Sequence, residues 1–255
     1  MTQAAPTGHD ATAADGAGTV LALRDVCVAY GRVQAVRSVS LDVPAGRALC
    51  VVGPNGAGKT SLVRAVAGLE RVSGGEVRWR GEPLGRQSVT KRIAAGIVYV
   101  PEGTQVFGGM TVEENLAVPL IATRRPIASD TFAKVYAAFP ILERRATQDA
   151  GTLSGGENRM LAVARALVLE PGLLIVDEPS LGLSPQATAT LAAALRALAE
   201  GGQTVLVSEQ NLACATAVGG DACLMVRGEI RWRGPNADLA GVEPVRAAVL
   251  GQGLS

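Results

Sequence analysis

Apolar and polar residues alternate along the first part of the chain as they do in β-strands. Val20–Tyr30 reads as a strand, and every second residue from Val39 to Val43 is apolar, as in a strand with one buried face. Later apolar runs are short and continuous, which predicts buried strands, and the run from Leu173 suits a strand of a parallel sheet. These runs are Ala48–Val52, Ile97–Val100, Leu173–Val176 and Thr204–Val207.

Helices are predicted between these strands. Thr111 to Glu114 has the form of a capping box and starts a helix that runs to about Ile121. Ser184-Pro185 marks the start of another helix, with serine as N-cap and proline at the first helical position. Residues 124–150 are predicted to form a separate helical insertion with solvated arginines, and Val242–Leu250 a short helix. Residues 1–18, which include His9, have low complexity and are expected to be disordered.

A glycine-rich loop stands between one strand-like run and a helix-like one. Residues 53–60 match the phosphate-binding pattern G-x-x-x-x-G-K-[ST] in the context that the pattern requires. Lys59 is expected to reach the β- and γ-phosphates of a nucleotide, and Thr60 to ligand Mg²⁺. The alternative is a glycine-rich turn with a surface lysine. The predicted nucleotide contacts are Gly53, Pro54, Asn55, Gly56, Ala57, Gly58, Lys59, Thr60 and Ser61.

Composition narrows the classes of protein that fit. The chain has 255 residues, of which 48% are hydrophobic, and 24 basic side chains nearly balance 23 acidic ones. The net charge of +1 gives no electrostatic case for binding nucleic acid or an anionic membrane. The four cysteines form no C-x-x-C pair, so reduced thiols are expected rather than a disulfide or metal site. No apolar run reaches membrane-spanning length and no signal peptide is recognisable, so we expect a soluble chain whose membrane role comes through a partner.

Two further motifs complete a pattern with the phosphate-binding loop. The first is a second glycine-rich turn that contains Ser154, which lies 95 residues after Lys59 and 23 residues before Asp177. Asp177 and Glu178 follow a buried apolar run. In this order the motifs resemble those of ATP-binding subunits of ABC transporters, whose signature reads Leu-Ser-Gly-Gly-Glu at residues 153–157.

The resemblance extends from about Thr19 to the C-terminus and implies an α/β fold. The expected architecture is a P-loop NTPase cassette with a mostly parallel core sheet, an antiparallel β subdomain and a helical subdomain at about residues 104–158. The chain would thus be a tail of residues 1–18 followed by one ATP-binding domain of residues 19–255. Several segments resemble the branch serving importers of branched-chain amino acids, urea and short amides. They are residues 100–103, Phe107, residues 110–116, residues 180–185 and residues 209–211.

The resemblance also implies roles for individual residues in ATP hydrolysis by two head-to-tail subunits. Ser154, Gly155 and Gly156 of one subunit would complete the site that holds phosphate in the other. Glu178 would act as general base or position the water, Asp177 would hold Mg²⁺ through its hydration shell, and Glu102 would lie near the metal. Tyr30 fits the aromatic residue that stacks on adenine, although from the residues alone a buried or edge-strand tyrosine is as good an interpretation.

Some positions depart from the usual pattern of the family. Glu102 stands where glutamine is common, and a carboxylate can accept hydrogen bonds but cannot donate them. Gln210 occupies the position of a switch histidine; its amide can donate to a γ-phosphate but does not titrate near neutral pH. Ser184 replaces a usual aspartate and is interpreted as a helix cap. Asn158 and Arg159 replace a usual glutamine pair, and the sequence offers no explanation for them.

The leading hypothesis is an ATPase that energises an amino-acid importer at the cytoplasmic face of the cell membrane. Its expected partners are integral membrane permease subunits, docked around residues 102–116, a second ATPase subunit and, indirectly, an external substrate-binding protein. The alternatives are a soluble ABC ATPase that remodels protein complexes, a catalytically weak regulatory subunit and an exporter. The sequence leaves open which substrate is transported and whether the ATPase pair is a homodimer.

Overall fold

The structure is a computed structural model that describes residues 18–103, 105–128, 130–242 and 245. The predicted disordered tail, with His9, lies outside the described residues except for Gly18. Most of the predicted helix at Val242–Leu250 lies outside them as well. Within the described residues, no helix is both long enough and apolar enough to cross a membrane.

An antiparallel sheet is formed mainly by the N-terminal part of the chain. Its four strands are arranged in the order β2-β1-β4-β5. The strands are β1 (Thr19–Tyr30), β2 (Val33–Pro44), β4 (Gly74–Trp79) and β5 (Glu82–Pro83). This sheet is the antiparallel part of the predicted architecture.

The central sheet has six strands in the order β10-β9-β3-β8-β7-β6. Every neighbouring pair is parallel except β9 and β10, which form an antiparallel hairpin. The strands are β3 (Ala48–Val52), β6 (Ile97–Val100), β7 (Leu173–Asp177), β8 (Thr204–Glu209), β9 (Asp221–Val226) and β10 (Glu229–Pro235). The four buried runs seen in the sequence are therefore parallel strands, and their carboxyl ends meet at one edge of the sheet.

Helices and the antiparallel sheet cover the two faces of the central sheet. The helices are α1 (Lys59–Ala67), α2 (Val89–Ala94), α3 (Val112–Ala122), α4 (Ala133–Ala138), α5 (Pro140–Arg144), α6 (Gly155–Leu167), α7 (Pro185–Glu200) and α8 (Leu212–Val218), with 3₁₀ turns at Ala150–Thr152 and Asn236–Gly241. Leu49 and Val51 face a core shared with α1 and the antiparallel sheet, whereas Cys50 and Val52 face a second core shared with the other helices. This alternation is the two-residue period of a strand buried on both faces.

Side-chain caps fix the start of several helices as predicted. Thr111 and Glu114 form the reciprocal capping box of α3, and Ser184 caps α7 by accepting from the N–H of Ala187 at 3.3 Å. Among the arginines of residues 124–150, which were expected to form a solvated face, Arg145 stays 39% exposed but also makes an ion pair. Its Nε lies 2.8 Å from Oε1 of Glu157 at the start of α6, so it ties this segment to the signature helix.

Candidate nucleotide site

A cavity of about 510 Å³ lies at the edge where the parallel strands end. Residues from five separate parts of the chain reach it: the loops after β3, β6, β7 and β8, which are adjacent there, and Ala35 of β2. Its lining residues are Ala35, Asn55, Gly56, Ala57, Gly58, Lys59, Thr60, Ser61, Glu102, Glu178, Leu181 and Gln210. Most residues of the predicted phosphate-binding loop therefore surround one space together with Glu178 and Gln210, for which roles in ATP hydrolysis are expected.

The phosphate-binding loop presents an uncapped helix end to this cavity. Helix α1 begins without a side-chain cap, whereas the longer helices α3, α6 and α7 each begin with one. The first N–H groups of α1 thus keep their hydrogen-bonding capacity for an anion. Gly58 has φ 102°, and a Cβ there would lie 2.2 Å from the carbonyl oxygen of Ala35, so only glycine fits. The geometry suits a bound phosphate.

Lys59 is held across the loop by three oxygen partners. Its side chain is 4% exposed, and Nζ donates to the carbonyl of Gly53 at 2.9 Å and that of Pro54 at 3.2 Å. The same atom lies 3.0 Å from Oε1 of Glu178. The loop carbonyls and this carboxylate together compensate a buried ammonium that would otherwise be costly.

Asp177, at the end of β7, accepts hydrogen bonds from three hydroxyl groups. Its Oδ1 accepts from Oγ1 of Thr60 at 3.2 Å and from the hydroxyl of Ser208, and its Oδ2 accepts from the hydroxyl of Tyr99 at 2.8 Å. Among the described residues, no group of three or more His, Cys, Asp and Glu side chains forms a metal cluster. A pair of oxygen ligands beside a phosphate site nevertheless fits Mg²⁺, which usually keeps several waters and takes few protein ligands.

Glu178 has an unusual backbone and a perturbed carboxyl group. Its φ is 45°, a left-handed conformation that is rare for glutamate, and its side chain is mostly buried beside the cavity. Burial raises the pKa of Glu178 above its ordinary value, although the hydrogen bond and the charge of Lys59 oppose that shift. A raised pKa makes this carboxylate a better proton acceptor than an exposed glutamate.

Gln210 is exposed at the cavity, but its backbone is fixed by the preceding residue. Glu209 is fully buried, and its carboxylate accepts from the backbone N–H groups of Ser180, Gln210 and Asn211 at 2.9, 2.6 and 2.7 Å. These bonds join the loop after Glu178 to the loop after β8. The position of Gln210 therefore depends on a neighbour to which the sequence analysis gave no role.

Tyr30 lies beside the cavity rather than in its lining. Its side chain is 45% exposed at the end of β1, and its hydroxyl donates to Oγ of Ser61 at 3.3 Å. The structure thus places Tyr30 next to the phosphate-binding loop with its ring partly open to solvent. This exposure does not fit a buried tyrosine, and stacking on adenine stays a prediction.

The signature motif does not line this cavity: Ser154 and Gly155 are exposed, and Leu153 is buried. Ser154 caps α6, accepting from the N–H of Glu157 at 3.3 Å, while the Glu157 carboxylate accepts from the N–H of Ser154 at 2.9 Å. The hydroxyl proton of Ser154 and the N–H groups of Gly155 and Gly156 stay available. Within one chain, the signature motif and the phosphate-binding loop are not brought together.

Tyr99 and Ser208 are contacts of Asp177 that the sequence analysis missed. Both lie in or at the end of strands that flank β7. Each is a common residue without a motif of its own, so only the strand order reveals that it faces Asp177. The sequence offered one indication of these contacts, namely a polar side chain within a largely apolar strand.

Comparison with known proteins agrees with this geometry. The ABC transporter family profile matches residues 36–181. The high-affinity branched-chain amino acid transport ATP-binding protein BraG of Pseudomonas aeruginosa is 38% identical over 91% of this chain and 100% of its own length. A probable branched-chain amino acid transport ATP-binding protein, LivF of Archaeoglobus fulgidus, is 33% identical over 87% of this chain and 94% of its own.

Solved structures share the fold. The ADP conformation of an ATP-binding cassette of an ABC transporter superposes with a TM-score of 0.82 at 23% identity, covering 91% of this chain and 99% of that one. A cassette described as dimeric gives a TM-score of 0.74 at 23% identity, covering 85% of this chain and 98% of its own. The fold and the site define a P-loop ATPase cassette. The chain belongs to the ABC transporter family, as an ATP-hydrolysing subunit of a transporter.

Proposed function

We propose that this chain hydrolyses ATP at the cavity beside Lys59 to energise a membrane permease that imports branched-chain or related amino acids. The observation that carries the chemistry is the buried contact of 3.0 Å between Lys59 and Glu178, which sets a phosphate-binding cation beside a carboxylate of raised pKa. The substrate class is supported by the relatives BraG and LivF, whose names specify branched-chain amino acid transport.

The phosphate-binding loop and Tyr30 would hold the nucleotide. The uncapped N–H groups of α1 and the Lys59 ammonium suit the β- and γ-phosphates, and the exposed ring of Tyr30 suits stacking on adenine. Thr60, Asp177 and Glu102 would hold Mg²⁺, which when bound neutralises phosphate charge. Gln210 at the cavity rim would donate its amide to the γ-phosphate.

Glu178 would complete the reaction by orienting a water molecule and accepting its proton. ATP and water then give ADP and inorganic phosphate, and the proton passes from the water to the Glu178 carboxylate as the oxygen attacks the γ-phosphorus. Phosphate bound at Lys59 would compete with Glu178 for the ammonium. Binding of ATP thus frees the carboxylate in the same step that supplies its substrate.

The signature motif lies outside the cavity of its own chain, which implies a second subunit. Ser154, Gly155 and Gly156 carry free donors that reach no phosphate in their own chain, and a head-to-tail pair would place them on the nucleotide of the other subunit. The dimeric state given for one fold relative supports this arrangement. Either a second copy of this chain or a related chain could serve.

The permease would dock beside the loop that follows β6. An apolar groove of about 330 Å³ lies there, lined by residues that include Pro101, Gln105 and Val118. Phe107 is 47% exposed next to it. The groove overlaps the predicted docking region 102–116 only at Gly103 and Gln105 and extends beyond it to α3 and α6. Such a surface suits a helix or loop of an integral membrane subunit, which would keep this chain at the cytoplasmic face of the membrane.

Capture of the partners tests this function. The tagged Glu178→Gln chain is recovered from solubilised membranes with ATP present, which traps the closed ATPase pair, and its partners are identified by mass spectrometry. We expect polytopic permease subunits and a second ATPase chain.

Uptake of radiolabelled leucine, urea and acetamide by the reconstituted complex then identifies the substrate and the direction of transport. Recovery of only soluble partners, with no membrane protein above a Lys59→Ala control, would favour a remodelling ATPase instead.

A further inference from the structure

Arg159 is a buried arginine at the back of the nucleotide cavity. It lies on α6, five residues beyond Ser154, and is 1% exposed. Its Nη1 donates to the carbonyl of Pro101 at 2.6 Å and to that of Gly103, and its Nη2 donates to the carbonyl of Asp177 at 2.5 Å. One guanidinium thus joins the signature helix, the loop that carries Glu102 and the end of the strand that leads to Glu178.

The three acceptors explain why arginine fits here. Its planar group carries five donors in a rigid fork, so it can bond both carbonyls that flank Glu102 and also the carbonyl of Asp177. A glutamine has one amide group with two N–H bonds and could not span all three. Arg159 therefore links residues 101–103 to the end of β7, just beyond Val100 and Val176, the last paired residues of β6 and β7.

The charge of Arg159 is compensated at a distance and not by a direct ion pair. Among the described residues, no carboxylate oxygen lies within 4.0 Å of its guanidinium nitrogens. Burial lowers the pKa of Arg159, while the carboxylates of Asp177, Glu209 and Glu102 raise it. The cation is thus close enough to these carboxylates to interact with their charges, and it reduces their mutual repulsion.

We propose that Arg159 is a positioning residue that holds the loop carrying Glu102 against the end of β7, and so sets where Glu102 lies relative to Asp177 and Glu178. The proposal rests on the proposed function of the cavity. It assigns a role to a residue that the usual motifs of the family do not explain.

A matched control exists elsewhere in the chain. Arg92 is also buried, at 3% exposure, and donates to three backbone carbonyls, those of Ala65, Val66 and Gly85, at 2.7, 2.6 and 3.2 Å. These acceptors lie around the far end of α1 and away from the cavity lining. Replacing Arg92 removes the same kind of contact without touching the loop of Glu102.

The experiment compares Arg159→Gln and Arg159→Lys with Arg92→Gln. Three quantities are measured for each: kcat and KM for ATP, the Mg²⁺ concentration that half-saturates binding of a fluorescent ATP analogue, and the melting temperature. Both glutamine variants are expected to melt at lower temperature. Only Arg159→Gln should lower kcat, by roughly 10–100-fold as for a misplaced reacting group, and raise the half-saturating Mg²⁺ concentration. Arg159→Lys, which keeps the charge but not the fork, should recover the Mg²⁺ dependence more fully than kcat.

A double-mutant cycle with Glu102→Gln isolates the coupling. If Arg159 acts through Glu102, the two substitutions are non-additive in kcat, whereas Arg92→Gln and Glu102→Gln are additive. Additive effects at Arg159, or a Mg²⁺ dependence equal to that of Arg92→Gln, would overturn the proposal. If Arg159→Gln does not fold, the cycle is run with Arg159→Lys. An inactive parent chain would instead count against the proposed function, and the Mg²⁺ dependence of analogue binding would still decide the role of Arg159.

Discussion

Nζ of Lys59 lies 3.0 Å from Oε1 of Glu178, and both side chains are largely buried at the edge of the central sheet. The ammonium group proposed to bind phosphate and the carboxylate proposed to orient water thus pair with each other. The two residues should respond differently to substitution, because one supplies the charge that binds phosphate and the other pairs with that charge. Lys59 loses its function with its charge, whereas loss of the charge of Glu178 frees Lys59 for phosphate.

Substitution of Glu178 should separate ATP binding from hydrolysis. In Glu178→Gln we expect kcat to fall by roughly 10²–10⁴, the range for loss of a general base. The affinity for ATP should be unchanged or higher, because the ammonium of Lys59 no longer pairs with a carboxylate. Steady-state phosphate release and titration with a fluorescent ATP analogue measure the two effects. Glu200→Gln, at an exposed position in α7, is the control. A parallel loss of affinity and rate would show that Glu178 mainly organises the binding site.

The same substitution should change how stability depends on pH. The pKa of Glu178 is raised in the folded chain, so the folded state favours the protonated form and the ionised form lowers stability above that pKa. Glu178→Gln cannot ionise, and it should therefore melt at higher temperature than the parent at neutral pH. The difference should shrink as the pH falls towards the ordinary value of 4.5. Melting curves from pH 4 to 8 test this; a variant that is less stable at neutral pH would mean that pairing with Lys59 outweighs the cost of burial.

The side chain of Gln210 should affect which ionisations appear in the pH–rate profile of ATP hydrolysis. An amide does not titrate, so the profile should contain no ionisation near pH ~6.5, the unperturbed value for histidine, that belongs to this position. Gln210→His should introduce one, because the side chain is exposed at the cavity. Initial rates from pH 5.5 to 9 at saturating ATP provide the comparison. A limb near pH 6.5 in the parent that disappears in Gln210→Ala would contradict the prediction.

Ser154 should matter for both stability and activity. Ser154→Ala removes the cap of α6, which costs about 0.5–2 kcal/mol, and also removes the hydroxyl predicted to reach phosphate in the partner subunit. Ser88→Ala removes a comparable cap from α2, away from the cavity. Both variants should be less stable by chemical denaturation, but only Ser154→Ala should lower ATPase activity, by about tenfold or more. Equal activities would reduce Ser154 to a helix cap.

The sequence by itself determined the class of fold and most of the site. The phosphate-binding loop, the buried strand ending in Asp177 and the signature motif are local patterns, because backbone conformation and helix capping depend on residues close together in the chain. For that reason the capping box of Thr111 with Glu114 and the cap at Ser184 could be predicted. The glutamine at position 210, where the family usually has histidine, was likewise evident from the sequence alone.

Only the tertiary structure decided which side chains support those motifs. Tyr99 and Ser208 reach Asp177 because β6 and β8 flank β7, and strand order is not encoded in any local pattern. Arg159 was unexplained in the sequence, and its three acceptors come from residues 101–103 and 177, which are distant along the chain. A buried polar side chain must find partners wherever folding places them, so its role follows from packing and not from sequence spacing.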